Sequence, residues 1–422
     1  MSTHERIRCH LPDIHTTAGP WLKGWHATLL LVQEKLNVLN IHQANFAEDL
    51  SRLLLVSDYA VQRFLNLEFT ELELLSWYKN ESQDYIAKIH VVIENLNDLE
   101  FIREAFCVLR HRVFLRILFR DLNGLSTLSQ TISELSNFAD AIIHEGLIQV
   151  AYSLQSKFSQ LNIEECLENF VIFGLGKLGA HELNLSSDVD VVYVYSIPED
   201  DSDTTKFIEF YTALAQQLGR FLSEQRGPGF LYRVDTRLRP FGLSGPLVWS
   251  VSGMLSYYEE HGREWERYAW VKGRPIAGNL ELGKYFLQKL RPFVYRRYLD
   301  FGVIDALRDL KLMIQKEILS KQLEHHIKLG SGGIREVEFI VQVLQLIHGG
   351  RKSDLREPTL QSVLPRCVEY KLLQPEDAEL LFKAYRFFRH TEHRLQAVSD
   401  TQTHLLPTTG FSQARLAWSM GF

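Results

Sequence analysis

Residues 170–195 read FVIFGLGKLGAHELNLSSDVDVVYVY, and this stretch decides the fold of the chain. Apolar runs at 170–173 and 189–195 predict two strands. The second run is apolar on both faces, as in a central strand that is covered on each side. A glycine-rich turn and room for only a short helix lie between them. The stretch therefore predicts a compact α/β unit, with Asp188 and Asp190 at the start of its second strand.

The glycines of this stretch have a spacing that is found in two kinds of protein. Gly174, Gly176 and Gly179 match the GxGxxG pattern of dinucleotide-binding proteins. That architecture requires a helix of several turns after the glycines and an acid at the far end of the second strand. Only eight residues separate Gly179 from Asp188, and the acids precede the strand. The spacing therefore favours a glycine turn that lets the backbone approach a phosphate.

The two acids predict a metal site. Asp188 and Asp190 are two positions apart on a strand, so both carboxylates project from the same face. They offer hard oxygen ligands to Mg²⁺, which takes phosphate oxygens at its remaining positions. Lys177, Ser186 and Ser187 are predicted phosphate neighbours. The alternative, a polar turn with aspartate caps, does not account for two acids on one face beside an apolar strand.

A third acid is predicted in residues 232–239, YRVDTRLR, where apolar and charged residues alternate. This alternation predicts a strand with one charged face, which ends at Pro240. Asp235 is then expected on a strand beside the first two acids. Arg237 and Arg239 are expected to bind phosphate oxygens there. A surface strand carrying a ladder of salt bridges stays open as the alternative.

Composition narrows the class of partner. Hydrophobic residues make up 45% and charged residues 23% of the 422, which is ordinary for a globular protein of about two or three domains. A formal net charge of -6 argues against broad electrostatic contact with a nucleic-acid backbone. No signal sequence or membrane-spanning run is recognisable, and the four cysteines are widely spaced. We expect a cytoplasmic protein without nucleic-acid or membrane partners.

Helical periodicity divides the chain into segments. Apolar residues at three and four spacing predict an N-terminal helical region at 1–130 and a C-terminal helical bundle at 281–422. The catalytic domain is predicted between them, at 131–280. In the first segment, the basic stretch LRHRVFLRILFRDL at 109–122 predicts a solvated helix face, with a surface for a partner or phosphate as the alternative. The last helix, at 411–422, has no evident cap, as expected for a fragment of a longer protein.

Four segments together resemble the bifunctional glutamine synthetase adenylyltransferase and adenylyl-removing enzymes. In the order of that family they are GLGKLGAHELNLSSDVDVVYVY, YRVDTRLRPFGLSGPLVWS, GREWERYAWVKGR and GSGGIREVEFIVQ. The resemblance covers roughly residues 100–422. It implies an α+β fold of the DNA polymerase β-like nucleotidyltransferase superfamily, with a small twisted mixed sheet and helices, flanked by helical domains.

The family carries two related catalytic units, one that removes AMP from a tyrosine of glutamine synthetase and one that attaches it. The sequences ELNLSSDVD, RPFGLSGPLV and REWERYA are similar to the removing unit. The resemblance implies phosphorolysis of adenylylated glutamine synthetase by inorganic phosphate, giving ADP, with the PII signalling protein as a further partner. The alternatives are the forward ATP-dependent adenylyltransferase, a non-catalytic PII-docking domain, and a nucleotidyltransferase acting on RNA, which the acidic balance disfavours.

The resemblance also implies roles for individual residues. The implied catalytic acids and ligands of two Mg²⁺ ions are Asp188, Asp190 and Asp235. The residues implied to line the nucleotide phosphates are Gly174, Gly176 and Lys177. Further residues match family segments, although a helix start with an ion pair explains them equally well: Trp265, Glu266, Arg267, Arg335, Glu336 and Glu338. The adjacent His325 and His326 are expected at the surface, because neighbouring positions on a helix face different ways.

Overall fold

The computed structural model describes residues 31–32, 34–36, 44–80, 83–197, 204–295 and 325–422. These residues form two compact units, and neither unit is one continuous segment. The first unit contains the described residues of Met1–Gln83, His111–Thr131 and Arg389–Phe422. The second contains those of Asp84–Arg110 and Ile132–Phe388. The division of the chain at residues 130 and 280 stays a prediction beside this grouping.

Helices dominate both units. In chain order they are α1 Ala44–Val56, α2 Asp58–Asn66, α3 Glu71–Ser76, α4 Tyr85–Ile93, α5 Leu99–Leu122, α6 Leu128–Ser153, α7 Ile163–Glu168, α8 Gly176–Gly179, α9 Thr204–Ser223, α10 Val251–Glu260, α11 Glu264–Trp270, α12 Leu280–Val294, α13 Ile334–His348, α14 Leu360–Glu369, α15 Pro375–Ala397 and α16 Gly410–Ser419. Short 3-10 turns occupy Gly242–Ser244 and Ser353–Arg356. Within the described ranges, no helix is both long and apolar enough to cross a bilayer.

The first unit joins segments that are far apart in sequence. Ser57 caps α2 by accepting a hydrogen bond from the Ala60 N–H at 3.0 Å, and its hydroxyl donates to the Ala397 carbonyl at 2.5 Å. Arg415 of α16 donates to both carboxylate oxygens of Asp58, at 3.1 and 2.8 Å. Both contacts join α2 to residues near the end of the chain. The N-terminal helices and the last helices therefore pack as one body.

The basic stretch at 109–122 is not a solvated helix face, and that prediction is wrong. Arg110, Arg116 and Arg120 are all buried. Arg120 donates to the carbonyls of Trp77 at 3.0 Å and Lys79 at 2.7 Å, which follow the end of α3. Backbone carbonyls at a helix end need donors when water is excluded, and a guanidinium can supply several at once.

The second unit contains a mixed sheet. Its strands are β1 Phe170–Gly174, β2 Val189–Tyr195, β3 Val234–Asp235, β4 Val248–Ser250 and β5 Arg274–Gly278. Their order is β3-β2-β1-β5, and β4 also pairs with β2. Strand β1 is antiparallel to β2 and β5, whereas β3 and β4 are parallel to β2. The predicted α+β fold with a small mixed sheet is confirmed, and the doubly wound parallel sheet of dinucleotide-binding proteins is excluded.

Both predicted strands of the 170–195 stretch are present, and β2 is almost entirely buried. One face of the sheet is covered by α10, α11 and α12. Phe173 packs against Trp270 and Phe286, with ring centroids 5.3 and 5.1 Å apart. On the other face, Tyr211 of α9 stacks on Tyr195 with ring centroids 4.9 Å apart. Cys107, Cys166 and Cys367 are buried free thiols, and Cys9 lies outside the described residues.

The glycine turn between β1 and β2 is packed against the backbone that enters β5. A Cβ on Gly179 would lie 1.9 Å from the Lys272 carbonyl oxygen and 2.5 Å from that of Gly174. Arg274 fixes the same corner, donating to the Leu178 carbonyl at 3.0 Å and to the Asp140 carboxylate at 2.8 Å. Only glycine allows this approach of two backbones.

We expect Gly179→Ala to lower the free energy of unfolding by about 1–3 kcal/mol, the usual cost of forcing extra volume into a packed site. Urea denaturation measures it. The control is Gly219→Ala on α9, where a Cβ meets no atom within 4 Å. That change should be neutral or stabilising by up to about 1 kcal/mol, since alanine is the better helix former. Equal urea midpoints for Gly179→Ala and the parent would contradict this packing.

Candidate active site

Three acids meet at one corner of the sheet. Asp188 precedes β2, and Asp190 is its second residue. Strand β3 pairs with this end of β2 in parallel, which places Asp235 directly opposite Asp190. The Val189 N–H donates to the Arg233 carbonyl at 2.9 Å and fixes the register. The structure thus brings together the three acids that the sequence singled out.

The strand that carries Asp235 is much shorter than predicted. Only Val234 and Asp235 are extended in a ladder, and the chain turns directly afterwards. The Asp235 carboxylate accepts a hydrogen bond from the Arg237 N–H at 2.8 Å, the arrangement by which aspartate starts a turn. The prediction of a strand over 232–239 is therefore wrong outside Val234 and Asp235, although the acid itself lies beside the first two acids as predicted.

Gly176 lies against the carboxylate of Asp190. It adopts φ +53°, a left-handed conformation that favours glycine, and a Cβ there would be 2.3 Å from Asp190 Oδ2. The Leu175 N–H donates to the Asp190 carbonyl at 2.9 Å, so the turn and β2 are tied together. The glycine turn therefore lies directly over the second acid of the pair.

The pKa of Asp190 is raised to about 6, first by burial and then by the negative charges of Asp235 and Asp188. Lys328 and Lys177 oppose this rise with their positive charge. Three carboxylates thus share one small region with two lysines. A divalent cation there would stabilise the ionised form of Asp190.

Asp188 is held by Arg233, which was not among the predicted site residues. Arg233 Nε donates to Asp188 Oδ1 at 2.7 Å, and its Nη2 donates to the Ser186 carbonyl at 2.5 Å and hydroxyl at 3.1 Å. The Ser187 hydroxyl accepts from the Asn184 N–H at 3.1 Å. Both serines are buried and brace the turn that presents Asp188. Their contact with phosphate stays a prediction.

The two arginines after Asp235 have different surroundings. Arg237 is exposed over 70% of its side chain and donates to Asp235 through Nε and Nη2. Burial alone would raise the pKa of Asp235, but these hydrogen bonds and the charge of Arg239 lower it. Arg239 is buried, and its guanidinium donates to Thr236, Leu243, Gly245 and Pro246. This favours a role for Arg239 in holding the loop.

Lys328 is a second residue that sequence reasoning missed. It precedes the Gly-rich turn at 330–333, where a Cβ on Gly333 would lie 2.6 Å from the Ile327 carbonyl oxygen. His326 Nδ1 accepts the backbone N–H groups of Lys328 and Leu329, at 3.3 and 3.0 Å. The signal for it in the sequence is its position two residues before the family segment GSGGIREVEF.

The remaining residues of the family segments support the framework. Glu336 accepts from the Gly332 N–H at 2.9 Å at the start of α13, and Glu338 accepts from Lys272 Nζ at 2.7 Å. Glu266 accepts from the Arg263 N–H at 2.9 Å. Arg267 is fully buried and donates to the carbonyls of Phe293 and Val294 at the end of α12, at 2.9 and 3.1 Å.

The oxygen donors of the three acids suit Mg²⁺, which binds carboxylates and phosphate together. Among the residues that the structure describes, no three His, Cys, Asp or Glu side chains are oriented so that they could hold a metal ion together. Asp188 and Asp235 instead form ion pairs with Arg233 and Arg237. The donor chemistry fits the ion, and binding would require these two carboxylates to turn from their arginines.

Comparison with known proteins identifies the family. The family model for glutamate-ammonia ligase adenylyltransferase matches residues 50–289, more than half of the chain. The model for GlnD PII-uridylyltransferase matches residues 307–422. Relatives named bifunctional glutamine synthetase adenylyltransferase/adenylyl-removing enzyme include one from Thioalkalivibrio sulfidiphilus, 41% identical over 81% of this chain and 36% of its own. That from Pseudomonas aeruginosa is 39% identical over 89% of this chain and 39% of its own.

A relative with the same name from Pseudomonas syringae pv. tomato is 44% identical over 74% of this chain and 32% of its own. The chain therefore spans about a third of the length of the curated relatives that it matches. The match over 50–289 includes β1 to β5 and all three acids of the candidate site. The chain belongs to the glutamate-ammonia ligase adenylyltransferase family.

Proposed function

We propose that this chain is a nucleotidyltransferase that removes AMP from the adenylylated tyrosine of glutamine synthetase by phosphorolysis. The convergence of Asp188, Asp190 and Asp235 beneath a glycine turn is the observation that carries the proposal. The relatives are named for both an adenylyltransferase and an adenylyl-removing activity. The similarity of ELNLSSDVD and RPFGLSGPLV to the removing unit favours removal.

In the proposed reaction, an oxygen of inorganic phosphate attacks the phosphorus of the AMP group. The new oxygen–phosphorus bond forms as the bond from phosphorus to the tyrosine oxygen breaks. A proton carried by the attacking phosphate passes to the tyrosine oxygen. The products are ADP and unmodified glutamine synthetase, so atoms and charge balance without a further reactant.

The residues of the site have separate tasks in this proposal. Asp188, Asp190 and Asp235 would hold two Mg²⁺ ions, which supply charge stabilisation to the attacking and leaving oxygens. Lys177 and the turn at Gly174 and Gly176 are proposed to bind the phosphates of the nucleotide.

Lys328 and Arg237 are proposed to bind the attacking phosphate. Arg237 is exposed beside Asp235, and the charge of Lys328 acts on Asp190. Positive charge next to the acids lowers the repulsion that an incoming phosphate meets. The PII signalling protein is proposed as a further partner, because residues 307–422 match a PII-uridylyltransferase model.

Replacing an acid by its amide tests the site. We expect Asp188→Asn, Asp190→Asn and Asp235→Asn each to lower turnover at least about 10²–10³-fold, because charge stabilisation of the transition state is lost. Steady-state assays with adenylylated glutamine synthetase measure the loss, and circular dichroism checks the fold. Asp377→Asn, at an exposed carboxylate on α15, is the matched control. Near-parental turnover in any of the three variants would remove that acid from the site.

The two arginines should respond differently. Arg237→Ala should raise the KM for inorganic phosphate about tenfold while leaving the urea midpoint unchanged, as expected for an exposed side chain that binds an anion. Arg239→Ala should lower the free energy of unfolding by about 1–3 kcal/mol, because buried carbonyls lose their donor. Arg366→Ala, which removes an exposed arginine paired with Glu369, is the control. A loss of stability in Arg237→Ala, or a raised KM for phosphate without loss of stability in Arg239→Ala, would contradict the roles given to these two side chains.

Product analysis tests the direction of the reaction. With Mg²⁺ and phosphate, the chain should convert adenylylated glutamine synthetase to the unmodified form with ADP as the product, and little should happen without phosphate. Chromatography of the nucleotides and intact mass of the protein substrate measure both. Free AMP would indicate hydrolysis. ATP-dependent modification with release of pyrophosphate would show the forward adenylyltransferase, and binding without turnover would leave a docking domain.

A further inference from the structure

The loop that leaves the acid cluster is held in a fixed shape. Strands β3 and β4 pair one after the other along the same edge of β2, opposite Val189–Asp190 and Tyr193–Tyr195. The β3–β4 loop, residues 236–247, therefore begins at the candidate site and projects from the sheet beside it. Its path is set by one side chain, since Arg239 donates to four backbone carbonyls of the loop.

Phe241 has an unfavourable backbone conformation at the tip of this loop. Its φ of +58° is left-handed, a conformation in which a bulky side chain is strained, and Gly242 follows with φ +57°. Gly245 closes the turn, where a Cβ would lie 2.2 Å from the Pro240 carbonyl oxygen. Strained backbone conformations are concentrated at functional sites in proteins. Glycine would remove the strain at this position, so a phenylalanine here indicates that its side chain is needed.

The loop directs two apolar side chains into solvent. Phe241 is 54% exposed and Leu243 is 72% exposed. Small-molecule sites are concave and bury most of their ligand, whereas these side chains protrude. Protruding apolar residues on a rigid support are instead typical of anchors between proteins.

Phe241 rests on Tyr257 of α10, and a second family segment holds Tyr257 in place. The Phe241 ring meets the edge of Tyr257 with centroids 4.7 Å apart, and Trp249 lies 6.2 Å away. The Tyr257 hydroxyl donates to the buried Glu266 at 2.9 Å. Glu266 belongs to GREWERYA, so two segments that are separate in sequence form a single support beneath the exposed ring.

We infer that the β3–β4 loop is the surface on which the macromolecular substrate docks, with Phe241 and Leu243 as its anchors. The partner is the polypeptide of glutamine synthetase next to the adenylylated tyrosine, so the inference rests on the proposed function. The loop starts at Asp235, and a tyrosine ester that reaches the acids must bring its flanking chain against the adjoining surface. An apolar contact there holds the protein without taking part in the chemistry.

Single substitutions separate docking from chemistry. Phe241→Ala and Leu243→Ala should each raise the KM for adenylylated glutamine synthetase, and the Kd of its complex with the chain, about tenfold. Turnover of a small ester, AMP joined to the hydroxyl of N-acetyl-tyrosine amide, should stay at the parental rate. Phe387→Ala and Leu380→Ala on α15 are matched controls, because these side chains are 49% and 67% exposed. Neither control should change the KM for adenylylated glutamine synthetase, the Kd of the complex or the turnover of the small ester.

Phe241→Gly distinguishes an anchor from a purely structural residue. Glycine accepts φ +58° without strain, so a residue needed only for the backbone path would tolerate it. An anchor would not, and binding should fall as far as with alanine. Thermal unfolding of each variant checks that the loop change leaves the unit folded, and Leu243→Ala provides the test if the Phe241 variants fail to fold.

The outcomes are separable. Unchanged Kd in the Phe241 and Leu243 variants would overturn the docking surface, as would failure of the parent to bind glutamine synthetase. Equal loss on the protein substrate and on the small ester would show that the loop serves the nucleotide instead, which also overturns it. A parent that binds glutamine synthetase in a Phe241-dependent way, yet turns over neither substrate, would sink the proposed reaction and leave the docking surface standing.

Discussion

The approach of Gly176 to the buried carboxylate of Asp190 is the constraint on which the rest of the second unit depends. No side chain fits at Gly176, because a Cβ would lie 2.3 Å from Asp190 Oδ2. The chain is therefore left-handed at that point, and the glycine turn packs against the strand that it precedes. Residues 175–188 connect β1 to β2, which are antiparallel neighbours, and this pairing places the acids at the corner where β3 arrives.

How far this arrangement can be read from sequence depends on where each residue finds its partners. Strand β2 was predictable because its sequence, VDVVYVY, is a continuous β-branched and aromatic run apart from Asp190. Such a run is typical of a strand that is buried on both faces. Strand β3 was not, since alternation over 232–239 is equally compatible with a turn that Asp235 itself starts through the Arg237 N–H. Lys328 was out of reach for a different reason. It lies over a hundred residues after Asp190 in the sequence, and only the folded chain brings its charge to that acid.

The environments of the arginines were the hardest to predict from the sequence. A basic stretch suggests solvent or an anion, yet Arg120 and Arg267 are buried and donate to carbonyls at helix ends. Arg239 does the same for a loop. A guanidinium remains charged and carries five donors in a fixed fork, so it can satisfy several carbonyls that face away from water. Periodicity records which face of a helix a residue occupies, but it does not record that such carbonyls exist nearby.

The acids and the β3–β4 loop share the same edge of β2, yet opposite requirements shape them. The acids need burial, which raises the pKa of Asp190 and makes a cation favourable beside it. An anchor needs exposure, and Phe241 is exposed only because its ring rests on Tyr257 and its backbone is held left-handed. Arg239 connects the two regions. By binding the loop's own carbonyls, it leaves Arg237 as the exposed cation at the acids and keeps the tip of the loop rigid. One side chain thereby separates the charged, half-buried acid cluster from the apolar, exposed tip of the loop.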